Sequence, residues 1–266
     1  MKTADLFDIR DRAVVITGGA RGLGRSMAEA MVDNGARVML LDRSREDLDR
    51  AVDALAHRGR VEGMIVDVAD REGLDEAIAK TTETFGRLDV AFANAGIAAG
   101  PGFLSTEGQR DPAGAIEAIP FELWDRVVET NLTSIFATIR AAARPMKTQR
   151  QGRIVLTASI AGLRPGAIIG TPYMVTKAAV AHLAKQAALE LARYNVLVNA
   201  IVPGPFLTQL TTPELEARFA AGSPIHRAGR PDEIQGLAIY LASAASSYVT
   251  GTHIVIDGGS MLGRAD

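Results

Sequence analysis

Short apolar runs alternate with amphipathic helical stretches along this chain, and that alternation restricts its fold more than any other feature of the sequence. The runs are Ala13 to Thr17, Arg37 to Asp42, Val61 to Val66, Leu88 to Ala93, Arg153 to Thr157, Val196 to Val202 and Thr252 to Ile256. Helical patterns cover Gly24 to Asn34, Arg45 to His57, Arg71 to Phe85, Phe121 to Lys147, Tyr173 to Arg193 and Pro231 to Ala242. Strands that are apolar almost throughout are buried on both faces, and helices between them supply the crossovers a parallel sheet requires. The expectation is an α/β chain with a doubly wound sheet of seven mainly parallel strands. Gly35, Gly59 and Gly86 each lie just past a helical run, where a left-handed turn costs glycine little. No linker, repeat or low-complexity tract divides the 266 residues, so one domain over 1–266 is expected.

Two segments interrupt the alternation. Ile97 to Pro120 holds four Gly and three Pro in 24 residues. It is too long for an ordinary connection, and its flanks tie it to the carboxyl edge of the sheet, where such folds bind ligands. A loop near a substrate cleft is expected, with an interface contact as the alternative. Pro203 to Pro224 mixes a Pro-Gly-Pro turn with a helical pattern at Pro213 to Ala221 and reads as a lid.

The first strand, AVVIT, runs straight into the glycine cluster TGGARGLG and then a helix. Gly18, Gly22 and Gly24 allow a sharp reversal and a close backbone approach, and the helix start offers free N–H groups to a pyrophosphate. The spacing is G-x-x-x-G-x-G rather than G-x-G-x-x-G. Asp42 closes the second strand, 18 residues past Gly24, where a carboxylate accepts hydrogen bonds from the adenosine ribose hydroxyls and repels a 2′-phosphate. NAD follows as the favoured cofactor. Arg21 and Arg43 pull the other way, because either can pair with a 2′-phosphate.

Tyr173 and Lys177 form a Tyr-x-x-x-Lys pair, with Ser159 fourteen residues upstream. Oxidising an alcohol needs a base for the hydroxyl proton and an acceptor for the hydride. A Tyr of ordinary pKa about 10 stays protonated at neutral pH unless a cation lowers it. One helical turn puts Lys177 on the face of Tyr173. Ser159, at the end of RIVLTAS, is placed to hydrogen-bond the substrate oxygen. Taken alone, Ser159 is as well explained as a turn or cap residue and Asn131 as a buried amide serving backbone groups.

Composition excludes several other functions. A net charge of −2 and pI near 6.1 argue against a general nucleic-acid surface. The absence of Cys removes thiolate chemistry and Cys-ligated metals, and the four His show no i, i+4 pair, so no metal is expected. MKTADLFDIRDR lacks the apolar core of a signal peptide, and no run approaches a membrane span, so a cytoplasmic protein is expected.

With TGGARGLG, Asp42, Asp67-Val68, Asn94-Ala95-Gly96, Asn131, Ser159, Tyr173, Lys177, Asn199, Pro203-Gly204 with Thr208, and Asp257-Gly258-Gly259, the chain resembles the short-chain dehydrogenase/reductase family over nearly its whole length. The resemblance implies a Rossmann-like sheet in the order 3-2-1-4-5-6-7, with Asn131, Ser159, Tyr173 and Lys177 as the catalytic set. It implies a cofactor site of Gly18, Arg21, Gly22, Leu23, Gly24, Asp42, Arg43, Asp67, Val68, Asn94, Ala95, Gly96, Tyr173, Lys177, Pro203, Gly204, Phe206 and Thr208. Within that site Asp67 would bond the adenine amino group, and Val68 would give a backbone contact. Asn131 would hold a water that relays protons from Lys177. The two long helices would pair across a dimer interface, and the last strand would help close a homotetramer. Two departures stand out: Ala93 replaces an Asn common before Asn-Ala-Gly, and the interval from Ser159 to Tyr173 is about one residue longer than usual.

The substrate is the least legible part. Ile160, Arg164, Ile168, Phe206 and Leu210 are the pocket candidates, with Ser159 and with Gln109 and Arg110 from the long loop. That mixture suits a sugar, a polyol or a cyclic alcohol. The leading reading is an NAD-dependent dehydrogenase of a secondary alcohol, reversible to the ketone. An NADPH-preferring carbonyl reductase and a non-catalytic nucleotide-binding scaffold are the alternatives.

Overall fold

The computed structural model describes residues 2–208, 211 and 213–263. Among them, β1 (Ala13–Thr17), β2 (Arg37–Asp42), β3 (Val61–Ile65), β4 (Val90–Ala93), β5 (Gly152–Thr157), β6 (Val196–Pro203) and β7 (His253–Ile256) form one sheet in the order β3-β2-β1-β4-β5-β6-β7. Every pairing is parallel. Beyond a single helical turn at Thr3–Leu6, the α-helices among the described residues are α1 (Gly22–Asp33), α2 (Arg45–Ala56), α3 (Arg71–Phe85), α4 (Phe121–Val128), α5 (Ser134–Gln149), α6 (Thr171–Leu191), α7 (Pro213–Ala221) and α8 (Gln235–Ala242).

Successive strand residues point to opposite faces, so each central strand feeds two cores. Val15, Ala91, Ile154 and Val198 meet Leu74 and Ile78 of α3, Ile135 of α5 and Val180 of α6. On the opposite face of the same strands, Ile16, Phe92, Val155 and Ile201 meet Met27 and Met31 of α1 and Leu241 of α8. All five residues of β1 and all eight of β6 are buried, which explains why both runs are apolar apart from Thr17 and Asn199. Full burial of one such side chain contributes about 1.5–3 kcal/mol, so the carboxyl ends of these strands form a stiff platform.

The chain leaves β1 toward β2 on one side and returns through β3 to β4 on the other. The carboxyl ends of β1 and β4 therefore flank a switch point, where open α/β sheets bind ligands. The segments ending in Gly18 and starting at Asn94 lie there.

Three expectations need revision. The run from Phe121 to Lys147 is helical throughout but not α-helical throughout: α4 passes into a π-turn at Glu129–Thr133 before α5 resumes. A π-bulge adds a residue to one turn and rotates the side chains it carries, a device concentrated at functional sites. Asn131 sits inside it. Among the three glycines, Gly35 and Gly86 take positive φ, at 79° and 75°, whereas Gly59 is not left-handed. Gly59 instead lies against Val32, whose Cγ1 would be 3.0 Å from an added Cβ. The helical run beginning at Pro231 opens as a 3-10 turn, Pro231–Ile234, before α8.

Candidate active site

The glycine turn is built for close approach. Gly18 and Gly22 take φ of 63° and 53°. A Cβ on Gly24 would collide with the Gly18 carbonyl and come within 2.5 Å of the Asn94 Nδ2. Helix α1 begins at Gly22, two residues earlier than its apolar pattern suggests, and its N-cap Arg21 makes no side-chain cap. The first-turn N–H groups are thus left to a ligand, and a pyrophosphate is the group whose charge and acceptors fit them.

Asp42 is buried, with Oδ2 accepting from the Ala20 N–H (3.3 Å) and Oδ1 from the Ser44 N–H (3.2 Å). The carboxylate is anchored beside the glycine turn, as a ribose-reading acid must be. Arg21 and Arg43 are both exposed. At the end of β3, Asp67 is exposed and accepts from the Ala69 N–H (3.0 Å), while Val68 is buried.

Asn94 ties three strand ends together. Its Nδ2 donates to the carbonyls of Thr17 and Gly18 (both 3.2 Å), and its Oδ1 accepts from the Thr157 hydroxyl (3.0 Å). The Thr17 hydroxyl in turn accepts from the N–H groups of Asn94 and Ala95 (3.0 and 3.2 Å). Ala93, the departure beside it, is fully buried in the core. Thr17 and Thr157 were not singled out from the sequence, although a threonine closing an otherwise apolar strand at this edge is a readable signal.

The Ser-Tyr-Lys set comes together through a turn. Ser159 follows β5 and caps the 3-10 turn Ile160–Gly162 by accepting from the Ala161 N–H (3.2 Å). Gly162 lets that turn lie directly on α6, since a Cβ there would be 2.5 Å from the Lys177 carbonyl oxygen. Ser159 is thereby brought to Tyr173, and a hydrogen bond from Ser159 favours the phenolate. Burial acts more strongly in the opposite sense and pushes the phenol above its ordinary value. Desolvation, not the Lys177 cation, is thus the leading influence on this phenol in the chain alone.

Lys177 is 3% exposed, its Nζ donates to the Thr157 carbonyl (2.7 Å) and stands 5.6 Å from the Tyr173 ring centroid. Burial pulls its pKa down to about 8. The buried Asn131 uses its carboxamide on Ile97, with Oδ1 accepting from the N–H (2.7 Å) and Nδ2 donating to the carbonyl (2.9 Å). Its backbone-serving role is therefore realised, and only the second Oδ1 lone pair and the second amide hydrogen remain for a water. A Cβ on Gly96 would lie 3.3 Å from Asn131 Oδ1 and 3.6 Å from Lys177 Nζ, so all three border one space.

The long loop runs against the segment between Ser159 and Tyr173: the Leu104 N–H donates to Ala167 (2.9 Å) and the Gly102 N–H to Ile168 (3.3 Å). It also contains two 3-10 turns, Pro112–Gly114 and Ile116–Ala118. Gln109 and Arg110 are exposed, and the Arg110 guanidinium covers the Phe103 ring at 5.7 Å. Arg218 of α7, in the 203–224 segment, donates to the Thr106 carbonyl of the loop. Ile160 is half-buried against the core, Ile168 is half-buried and Arg164 is exposed. Phe206 is a correction: its ring is buried in the core against Gly229, which leaves its backbone rather than its side chain for a ligand. Pro203 is buried at the end of β6, Gly204 packs on Asp257 and Thr208 is exposed; Leu210 lies outside the described residues. Among the described residues no acidic, His or Cys group is arranged to hold a metal ion, and no helix is long and apolar enough to cross a membrane.

A family model described as Enoyl-(Acyl carrier protein) reductase matches residues 18–261. L-rhamnose 1-dehydrogenase (NAD(P)(+)) of Azotobacter vinelandii is 34% identical, over 94% of this chain and 96% of that protein. The 3-alpha-(or 20-beta)-hydroxysteroid dehydrogenase of Mycobacterium bovis is 36% identical, over 96% of this chain and 91% of that protein. Among solved structures, a short-chain type dehydrogenase/reductase from Mycobacterium marinum superposes with a TM-score of 0.89 at 36% identity, covering 97% of this chain and 99% of that one.

Proposed function

The chain belongs to the short-chain dehydrogenase/reductase family, oxidoreductases that act on CH–OH groups, and on that premise we propose that it moves a hydride between a secondary alcohol and NAD. The observation that carries this reading is the meeting of Ser159, Tyr173 and Lys177 beside an uncapped helix start and a buried ribose-side carboxylate, Asp42. When bound, the nicotinamide supplies the hydride acceptor and, when oxidised, a second positive charge near the phenol.

Tyr173 Oη takes the hydroxyl proton during oxidation and returns it during ketone reduction. Because burial holds its proton tightly, Tyr173 acts as base only in a site made more positive than the chain alone provides. The Lys177 ammonium contributes part of that field. Ser159 donates to the substrate oxygen as charge develops there. Lys177 is a positioning as well as an electrostatic group, because its Nζ is fixed on Thr157, whose hydroxyl holds Asn94 behind the glycine turn. Asn131 fixes Ile97 and, with its remaining lone pair, holds the water of the proton path.

Gly18, Arg21, Gly22, Leu23 and Gly24 form the pyrophosphate side of the site. Asp42 and Arg43 face the ribose, and Asp67 and Val68 the adenine. Asn94, Ala95, Gly96, Pro203, Gly204 and the backbone of Phe206 and Thr208 complete it. A panel of sugars, polyols and cyclic alcohols, read at the reduced-nicotinamide absorbance with each cofactor, tests the whole reading. Turnover with NAD is expected, with a higher kcat/KM than with NADP. Faster turnover with NADP at equal subsaturating concentrations reverses the cofactor assignment in favour of the carbonyl reductase.

The loop 97–120 forms one wall of the substrate cleft and the lid 203–224 its cover, a placement supported by the backbone pairing to Ala167 and Ile168 and by the Arg218 contact. Arg110→Ala is expected to raise KM or reorder the substrates while NAD affinity stays unchanged. Identical kinetics in that variant and in a shortened loop would move the segment to the outer surface.

The assembly is a homotetramer. Phe136 of α5 and Leu189 of α6 are 54% and 78% exposed, and β7 has an open edge, surfaces a monomer rarely leaves uncovered. Light scattering after size exclusion is expected to give four chains, and a monomer at micromolar concentration contradicts it.

A further inference from the structure

The two arginines that favour NADP are not equivalent in the fold. Arg21 stands at the start of α1 with its side chain half exposed, and its Nε lies 3.2 Å from Asp47 Oδ2. Asp47 belongs to the first turn of α2, where its N–H donates to the N-cap Ser44 hydroxyl (3.3 Å) and the helix dipole favours a negative charge. Its other oxygen, Oδ1, receives Arg50 Nη2 at 2.6 Å. With a side chain only 16% exposed and its pKa lowered by the Ser44 hydrogen bond and, against desolvation, by the two arginines, Asp47 is an anion held in place on three sides.

Asp42 and Asp47 bracket the same piece of chain. Asp42 binds the backbone at Ala20, Asp47 binds the side chain of the next residue, Arg21, and Ser44 touches both acids, donating its N–H to one and accepting from the N–H of the other. A guanidinium committed to Asp47 is partly neutralised and oriented toward α2. To reach a phosphate on the ribose it would have to leave that carboxylate, so the phosphate gains little by recruiting it.

We propose that Asp47 is a second determinant of cofactor choice: by holding Arg21 it keeps the adenosine end of the site unreceptive to a 2′-phosphate, alongside the direct repulsion from Asp42. This rests on the reading that Asp42 faces the adenosine ribose. Nothing in the cofactor motif itself points to Asp47, which lies in the following helix.

Binding of nucleotide fragments tests this without a substrate. Isothermal titration of the full chain with adenosine 2′,5′-bisphosphate and with 5′-AMP is compared for the unmodified protein, Asp47→Ala, Asp47→Asn and Asp42→Ala. Asp47→Ala is expected to tighten the bisphosphate by about fivefold or more, as a freed guanidinium forms charge-assisted bonds, while 5′-AMP changes less than about twofold. Asp47→Asn, which keeps the shape of the helix start, should follow in the same direction. Adding Arg21→Met to Asp47→Ala should abolish the gain. If Asp42→Ala tightens the bisphosphate but both Asp47 variants leave it unchanged, the inference falls and the ribose placement stands. A gain that survives Arg21→Met also overturns it, since the liberated charge is then not that of Arg21. If Asp42→Ala leaves the preference between the two fragments unchanged, the ribose placement fails and takes this inference with it.

Discussion

Tyr173→Phe is expected to lower turnover by at least about 10²-fold, the loss typical of an acid/base group, while leaving NAD affinity nearly unchanged. The substitution removes a single oxygen from a half-buried ring on α6 and keeps its packing against the surrounding helix face. The loss follows because a Phe ring has no group to take or return the proton, while burial favours the neutral phenol that Tyr173 supplies in ketone reduction. Turnover with the best alcohol of the panel, together with NAD binding by titration, decides the matter. A variant with near-normal kcat would remove Tyr173 from the chemistry and leave the Ser159 contact a structural one. In the unmodified enzyme, oxidation should rise with pH as the phenol ionises, and ketone reduction should fall over the same range.

Much of this site is legible without coordinates, for identifiable reasons. The strand and helix alternation, the glycine turn, Asp42 and the Ser-Tyr-Lys set follow from patterns local in sequence: an apolar run, a turn residue, a one-turn spacing; the order of the strands comes only from the family resemblance. What escapes is long-range or depends on one extra residue in a turn. The π-turn at Glu129–Thr133 leaves the apolar periodicity of Phe121 to Lys147 almost intact, so the helix itself is legible and its one wider turn is not. Gly59 is a glycine because Val32 crowds it, a contact between residues far apart in the chain. Phe206 sits in a Pro-rich turn that suggests exposure, yet Gly229 opens a core space for its ring. The Asn94 to Thr157 to Lys177 chain joins the end of β4, the end of β5 and helix α6, and is visible only once the sheet is assembled.

Replacing Lys177 with Met should change stability and activity in opposite senses along a pH series. Lys177 is almost fully buried, and its pKa falls from 10.5 to about 8 on folding through desolvation, which corresponds to roughly 3 kcal/mol charged against the native state near neutral pH. Below pH 8 both folded and unfolded chains carry the proton and this cost is constant. Between pH 8 and 10.5 the folded chain releases the proton first, the unfolded chain binds more, and stability rises with pH. The Met variant has no such group, and the other titrating residues largely cancel in the comparison. The unmodified chain should therefore gain about 2 kcal/mol relative to Lys177→Met between pH 7 and pH 9.5, measured by urea unfolding at each pH. The hydrogen bond from Nζ to Thr157 sets the offset between the two chains and changes far less with pH than the charge does. Turnover should fall by at least about 10²-fold in the same variant, because the phenol loses the cation the chain itself supplies. A stability difference that stays flat across this range would mean that Lys177 keeps an ordinary pKa in the folded chain. The native state would then carry no cost for its charge, and its place beside Tyr173 would have to be explained by the Thr157 contact alone.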